Sequence, residues 1–120
     1  MIFDAGVFIA LEKPSTRRIV LALVEKHLNE GLLPTTTTTA LAQAFRDPAK
    51  QVELTRLTRS VEVFPFGDPQ VVGAKCGQSG TSDVVDASLA ILAEQLGQTI
   101  VTTDPDDMEK LGAPHVTLSL

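Results

Sequence analysis

Short β-branched runs alternate with helix-length stretches of apolar periodicity along all 120 residues, and this alternation restricts the fold more than any other feature. Strands that alternate with helices form a mainly parallel sheet with helices on both faces, because a parallel pair needs a long crossover between its strands. The clearest unit is "TSDVVDASLAILAEQLG" followed by "TIVTT". Val85, Leu89, Leu92 and Leu96 recur at helical spacing and Gly97 ends the helix. Thr81 or Ser82 is its expected cap.

The other units follow the same rule. Met1 to Asp4 reads as a buried strand, and Pro14 to Glu30 as a helix carrying Ile19, Val20, Leu23, Val24 and Leu28, closed by Gly31. "GLLPTT" is a second strand, "TALAQAF" a helix, and "PAKQVELTRLTR" another helix with Pro48 at its start. "VEVFPF" is a strand, and Pro69 to about Gln78 a helix. "DPDDMEKLG" is a short helix and "HVTLSL" a last strand. The threonine run Thr35 to Thr39 fits a strand passing into a hydroxyl-capped helix. The length predicts a single domain over residues 1–120, an α/β/α sandwich of three layers around the sheet.

Apolar residues at 43 % and charged residues at 21 % suit a globular chain and argue against disorder. No apolar run approaches the roughly 20 residues that span a bilayer, and the first ten residues lack the pattern of a signal peptide. Cys76 is the only cysteine, which excludes an internal disulfide and suits a reducing cytoplasm. His27 and His115 have no partner at ligand spacing and read as packing or surface residues. Phe45, Phe64 and Phe66 are expected in the core rather than at a partner surface.

The net charge of −5 is unevenly spread. Residues 40–60 hold Arg46, Lys50, Arg56 and Arg59 against Asp47 and Glu53. Residues 81–109 hold Asp83, Asp86, Glu94, Asp104, Asp106, Asp107 and Glu109 with no base. Asp4 and Asp104 each follow a strand, so a parallel sheet puts both at one end, where ligands bind in such folds. They converge if those strands are neighbours. Asp83 and Asp86 are three apart on one helix and share a face; Asp83 could instead serve the helix dipole, as could Asp106 and Asp107 on the next helix. Crowded carboxylates repel, and one takes up a proton unless a cation lies between them. An all-oxygen set without His or Cys selects Mg²⁺ or Mn²⁺.

"MIFDAGVFIALE", "ALAQAF", "GTSDVVDASLAILA" and "IVTTDPDDMEKL", in this order across nearly the whole chain, resemble a PIN domain, specifically the VapC-type toxin ribonucleases of toxin–antitoxin pairs. The resemblance implies a PIN-like α/β/α sandwich that commonly dimerises and gathers acids around Mg²⁺ or Mn²⁺. It implies catalytic and metal-binding roles for Asp4, Asp86 and Asp104, with Thr102 as the accompanying hydroxyl; Asp83 and Asp107, from the acidic block, are further metal-ligand candidates beside them. Gln43 stands where the family usually has a glutamate, and Asp83 is placed to supply the missing charge.

The function this implies is metal-dependent hydrolysis of RNA phosphodiesters, with a cognate antitoxin that blocks the site and with Arg46, Lys50, Arg56 and Arg59 as candidates for guiding the RNA backbone. The alternative is a degenerate PIN-like domain that binds RNA or a protein without cleaving. A receiver-type signalling domain fits less well, because "IFDAG" has one acid and "VFPFG" none. A haloacid-dehalogenase-like phosphatase needs D-x-D where the chain has "DAGV".

Overall fold

Five strands of two or three residues each make one sheet in which every pairing is parallel: β1 (Ile2–Phe3), β2 (Thr35–Thr37), β3 (Glu62–Phe64), β4 (Ile100–Thr102) and β5 (His115–Thr117). The computed structural model describes residues 1–120, with strand order β3-β2-β1-β4-β5. Seven helices connect them: α1 (Ala5–Ile9), α2 (Pro14–Asn29), α3 (Thr38–Ala44), α4 (Val52–Thr58), α5 (Pro69–Ser79), α6 (Val84–Leu96) and α7 (Pro105–Lys110). The expected sandwich is present.

The central strands are buried on both faces, and their side chains alternate between two cores. Ile2 and Ile100 pack with Leu89, Leu92, Met108 and Val72, under α5, α6 and α7. Phe3 and Val101 pack with Phe8, Val20, Val24 and Leu54, under α1, α2 and α4. Phe64 and Phe66 lean on the first core and Phe45 on the second, as expected. Buried His27 sits edge-on to Phe3, a packing role. The threonine run also behaves as read: Thr35 to Thr37 are buried in β2, and the Thr37 hydroxyl caps α3 by accepting the Ala40 N–H.

Three local readings need correction. Asp83, not Thr81 or Ser82, caps α6, because its carboxylate accepts the N–H groups of both Val85 and Asp86 at 3.0 Å. The helix after Pro48 begins only at Val52. Gln51 holds the preceding loop open by accepting the Arg46 and Asp47 N–H groups and donating to the Ala44 carbonyl. The third correction is an element that the periodicity did not reveal: α1 follows β1 directly, capped by Asp4 and burying Val7 and Phe8.

Candidate metal centre

Parallel strands point their carboxyl ends the same way, and β1 and β4 are neighbours with Phe3 opposite Val101. Asp4 therefore follows β1 at the end where Thr102 closes β4. It is 6 % exposed, and its N–H donates to the Val101 carbonyl at 3.1 Å. One carboxylate oxygen accepts the Val7 N–H at 3.2 Å and the other accepts the Thr102 hydroxyl. Burial raises the Asp4 carboxyl above its usual range, with the Thr102, Val7, Thr103 and Gly6 hydrogen bonds opposing.

The helix before β4 runs back across the sheet, so its first turn also lies at this end. It brings Asp83 and Asp86, and α7, which starts just after β4, brings Asp107. One oxygen each from Asp83, Asp86 and Asp107 lies within 4.8 Å of the others, and all three residues are half-buried. Burial first, then the Asp83 carboxylate, a hydrogen bond with Asp107 and the charge on Asp4 push the Asp86 carboxyl up to about 8. The four acids thus form one electrostatic unit. Three helix N-termini, those of α1, α6 and α7, turn their N–H groups toward this end and offset part of the repulsion.

Asp104 is not one of the three carboxylates that converge. Its strand is the expected neighbour of β1, yet its exposed carboxylate caps α7 by accepting the Asp106 N–H at 3.3 Å. What meets Asp4 from β4 is Thr102, whose oxygen also accepts the Asp104 N–H at 3.0 Å. Asp107, one turn along α7, joins the acid group in its place. Gln43 reaches the site from α3, lining a cleft of ≈ 540 Å³ with Thr81, Ser82, Asp83, Asp107 and Lys110. Three of these residues were not legible in the sequence as site residues. Lys110 lies just beyond the acidic block, and Thr81 and Ser82 suggested only a cap.

Arg46, Lys50, Arg56 and Arg59 are exposed and line no part of the acid cleft. Lys50 pairs loosely with Asp47 at 3.8 Å and Arg56 with Glu53 at 3.7 Å, contacts of little energetic weight on a surface. Arg56 and Arg59 border a separate hollow with Pro48, Ala49, Val52 and Thr55.

The donor set fits a cation. Three carboxylates crowded into a half-buried pocket suit a divalent ion better than three protons, and Asp83, Asp86 and Asp107 could hold one. No protein-family model and no curated protein matches the sequence. Solved structures do. FitAB bound to the IR36 DNA fragment superposes with a TM-score of 0.69 at 16 % identity, covering 97 % of this chain and 93 % of that one. PAE2754 from Pyrobaculum aerophilum gives 0.71 at 19 % identity, with 97 % and 87 % covered. VapBC2 from Rickettsia felis, bound to a DNA fragment from its promoter, gives 0.66 at 12 % identity, with 99 % and 100 % covered. The chain has a PIN-like fold. At these identities the likeness is one of fold, and the chemistry of this PIN-like domain has to be argued from its own residues. No helix is long and apolar enough to cross a membrane.

Proposed function

We propose that this PIN-like domain is a Mg²⁺- or Mn²⁺-dependent endoribonuclease that acts as the toxin of a toxin–antitoxin pair. The observation that carries the reading is the convergence of Asp83, Asp86 and Asp107 within 4.8 Å, electrostatically joined to Asp4, at the carboxyl end of a parallel sheet. A divalent cation held there supplies charge neutralisation at a phosphodiester and acidifies water at neutral pH. Asp83, Asp86 and Asp107 hold the ion in this reading. Asp4, fixed by Thr102 and Val7, accepts a proton or orients water at the floor of the site. Asp104 contributes by capping α7, which fixes where Asp107 stands.

The same reading assigns RNA as substrate, with Arg46, Lys50, Arg56 and Arg59 as outlying phosphate contacts, together with a homodimeric, cytoplasmic protein. The names FitAB, FitAcB from Neisseria gonorrhoeae and VapBC2 denote two-part assemblies and support a cognate antitoxin as partner. One observation favours a second reading, a non-cleaving PIN-like module: the cleft presents the neutral Gln43 amide.

Cleavage of a mixed RNA pool with Mg²⁺, Mn²⁺ or EDTA, beside Asp86→Asn, separates the two. Metal-dependent cuts absent from the variant are expected. RNA or antitoxin binding without cuts at any metal concentration would replace the nuclease by the binding module.

A further inference from the structure

Asp83 and Asp86 are fixed by the start of their helix. Asp107 belongs to another element, and its hydrogen bond with Asp86 needs a proton that a bound cation would displace, so another group must hold its side chain toward them. Asp83 has one carboxylate oxygen committed to the Val85 and Asp86 N–H groups. Lys110, one turn beyond Asp107, lines the same cleft but is in no ion pair. Besides the Asp86 carboxyl, the side chain that reaches Asp107 is Thr81, half-buried in the loop between α5 and α6, immediately after Gly80 ends α5 in a left-handed conformation (φ 73°).

A threonine hydroxyl has one proton to give and lone pairs to receive. Here the proton goes to Asp107 Oδ1 at 3.3 Å, and the oxygen accepts the Asp83 N–H at 3.2 Å. One atom therefore ties the N-cap of α6 to the first turn of α7, across 26 residues of sequence. Thr81 has no other side-chain hydrogen bond, so both of its bonds end on residues of the acid group.

We propose that Thr81 is a positioning residue for the metal centre, holding the Asp107 carboxylate against Asp83 and Asp86 through its hydroxyl; this rests on the metal-site reading above. Outer partners that orient ligands change metal affinity by about 10–100-fold when lost. The loop position makes the substitution mild for folding, and the effect falls on the ion.

The test is Mn²⁺ affinity, read by electron paramagnetic resonance of free against bound ion, for the native protein, Thr81→Val, Thr81→Ala and Thr81→Ser. Melting of each is measured in EDTA. Thr81→Val and Thr81→Ala are expected to bind about 10-fold more weakly with unchanged melting, while Thr81→Ser matches the native protein. Should Thr81→Val fail to fold, the alanine–serine pair decides. Native affinity in Thr81→Ala, or weakening in Thr81→Ser equal to that in Thr81→Ala, would overturn the role of the hydroxyl. A native protein that binds no Mn²⁺ would instead remove the metal-site reading itself.

Discussion

Thr102 gives its hydroxyl proton to Asp4 across the β1–β4 pair, joining residues 98 positions apart at the buried floor of the acid site. The bond lowers the cost of a buried carboxylate whose burial otherwise favours the neutral form. Thr102→Val keeps the shape and removes the donor. We expect metal-dependent cleavage to fall by about 10-fold or more, as for lost outer-shell partners, with Thr102→Ser retaining most of it. Single-turnover cleavage of one RNA by the three proteins checks this; equal rates for valine and serine would dissociate the hydroxyl from the chemistry.

Asp104 and Asp107 separate a role implied by resemblance from one supported by geometry. Asn caps a helix about as well as Asp, so Asp104→Asn should preserve both stability and Mn²⁺ affinity. Asp107→Asn removes a charge from the three-carboxylate group and should weaken Mn²⁺ binding by at least about 10-fold, the loss of even an outer partner costing that much. Titration of the two variants gives the answer, and the reverse order of effects would restore Asp104 as the ligand.

The Asp86 carboxyl, pushed up to about 8 by burial and by Asp83, Asp107 and Asp4, makes metal-free stability depend on pH. Its folded value lies above the ordinary 3.8, so the folded state binds more protons between the two. The contribution is fully present below about pH 4 and is lost as pH rises through 8. Allowing for solvent screening of a half-exposed group, the change is about 1 kcal/mol, or on the order of 4 °C in melting temperature. Melting in EDTA should therefore fall from pH 5.5 to 8.5, and Asp86→Asn should flatten that slope. Mn²⁺ should oppose the fall at pH 8.5, since an ion that binds only the folded state stabilises it.

Much of this fold was legible because it rests on local chemistry. The β-branched "TIVTT" and the apolar stripe of α6 define their elements without help from the rest of the chain. α1 escaped because five residues cannot show a period, although Asp4 followed by Val7, Phe8 and Leu11 at turn spacing was its available signal. The site was harder. Sequence put Asp4, Asp83, Asp86 and Asp107 among the candidates, but choosing between Asp104 and Asp107 depends on how the chain leaves β4. Pro105 commits it to a helix at once, and Asp104 becomes the cap. Neither Thr81 nor Lys110 could be placed in the cleft before α6 and α7 were packed together.

Gly6 is needed for space rather than for backbone freedom. A Cβ there would lie 1.9 Å from Thr103 Oγ1 and 3.1 Å from Thr103 Cβ, so a β-branched side chain would have to move beside Thr102. Gly6→Ala should destabilise by about 1–3 kcal/mol through overpacking, despite a helix-propensity gain of about 1 kcal/mol. Gly73→Ala and Gly77→Ala provide the contrast: both lie in α5 with nothing within 4 Å of an added Cβ. They should each stabilise by up to about 1 kcal/mol. Urea melts of the three variants test the pair of signs.

Gln43 completes the case because it sits in the acid cleft without a charge. If the cleft holds a divalent cation, a fourth carboxylate there should tighten it; if the cleft has lost that purpose, the same charge should only add repulsion. Gln43→Glu is nearly isosteric, and position 43 is exposed enough for its side chain to adjust. A carboxylate about 4 Å from a divalent ion near a protein surface gains several kcal/mol of attraction before desolvation and screening, which leaves about 1–2 kcal/mol, or about 10-fold in Mn²⁺ affinity. In EDTA the same variant should melt slightly lower at pH 8 than the native protein, as Asp83 and Asp107 repel the new charge. Tighter Mn²⁺ binding together with faster RNA cleavage would identify Gln43 as a brake on a working nuclease. Tighter binding without cleavage would leave the centre structural, and no change in affinity would place Gln43 outside the reach of the ion.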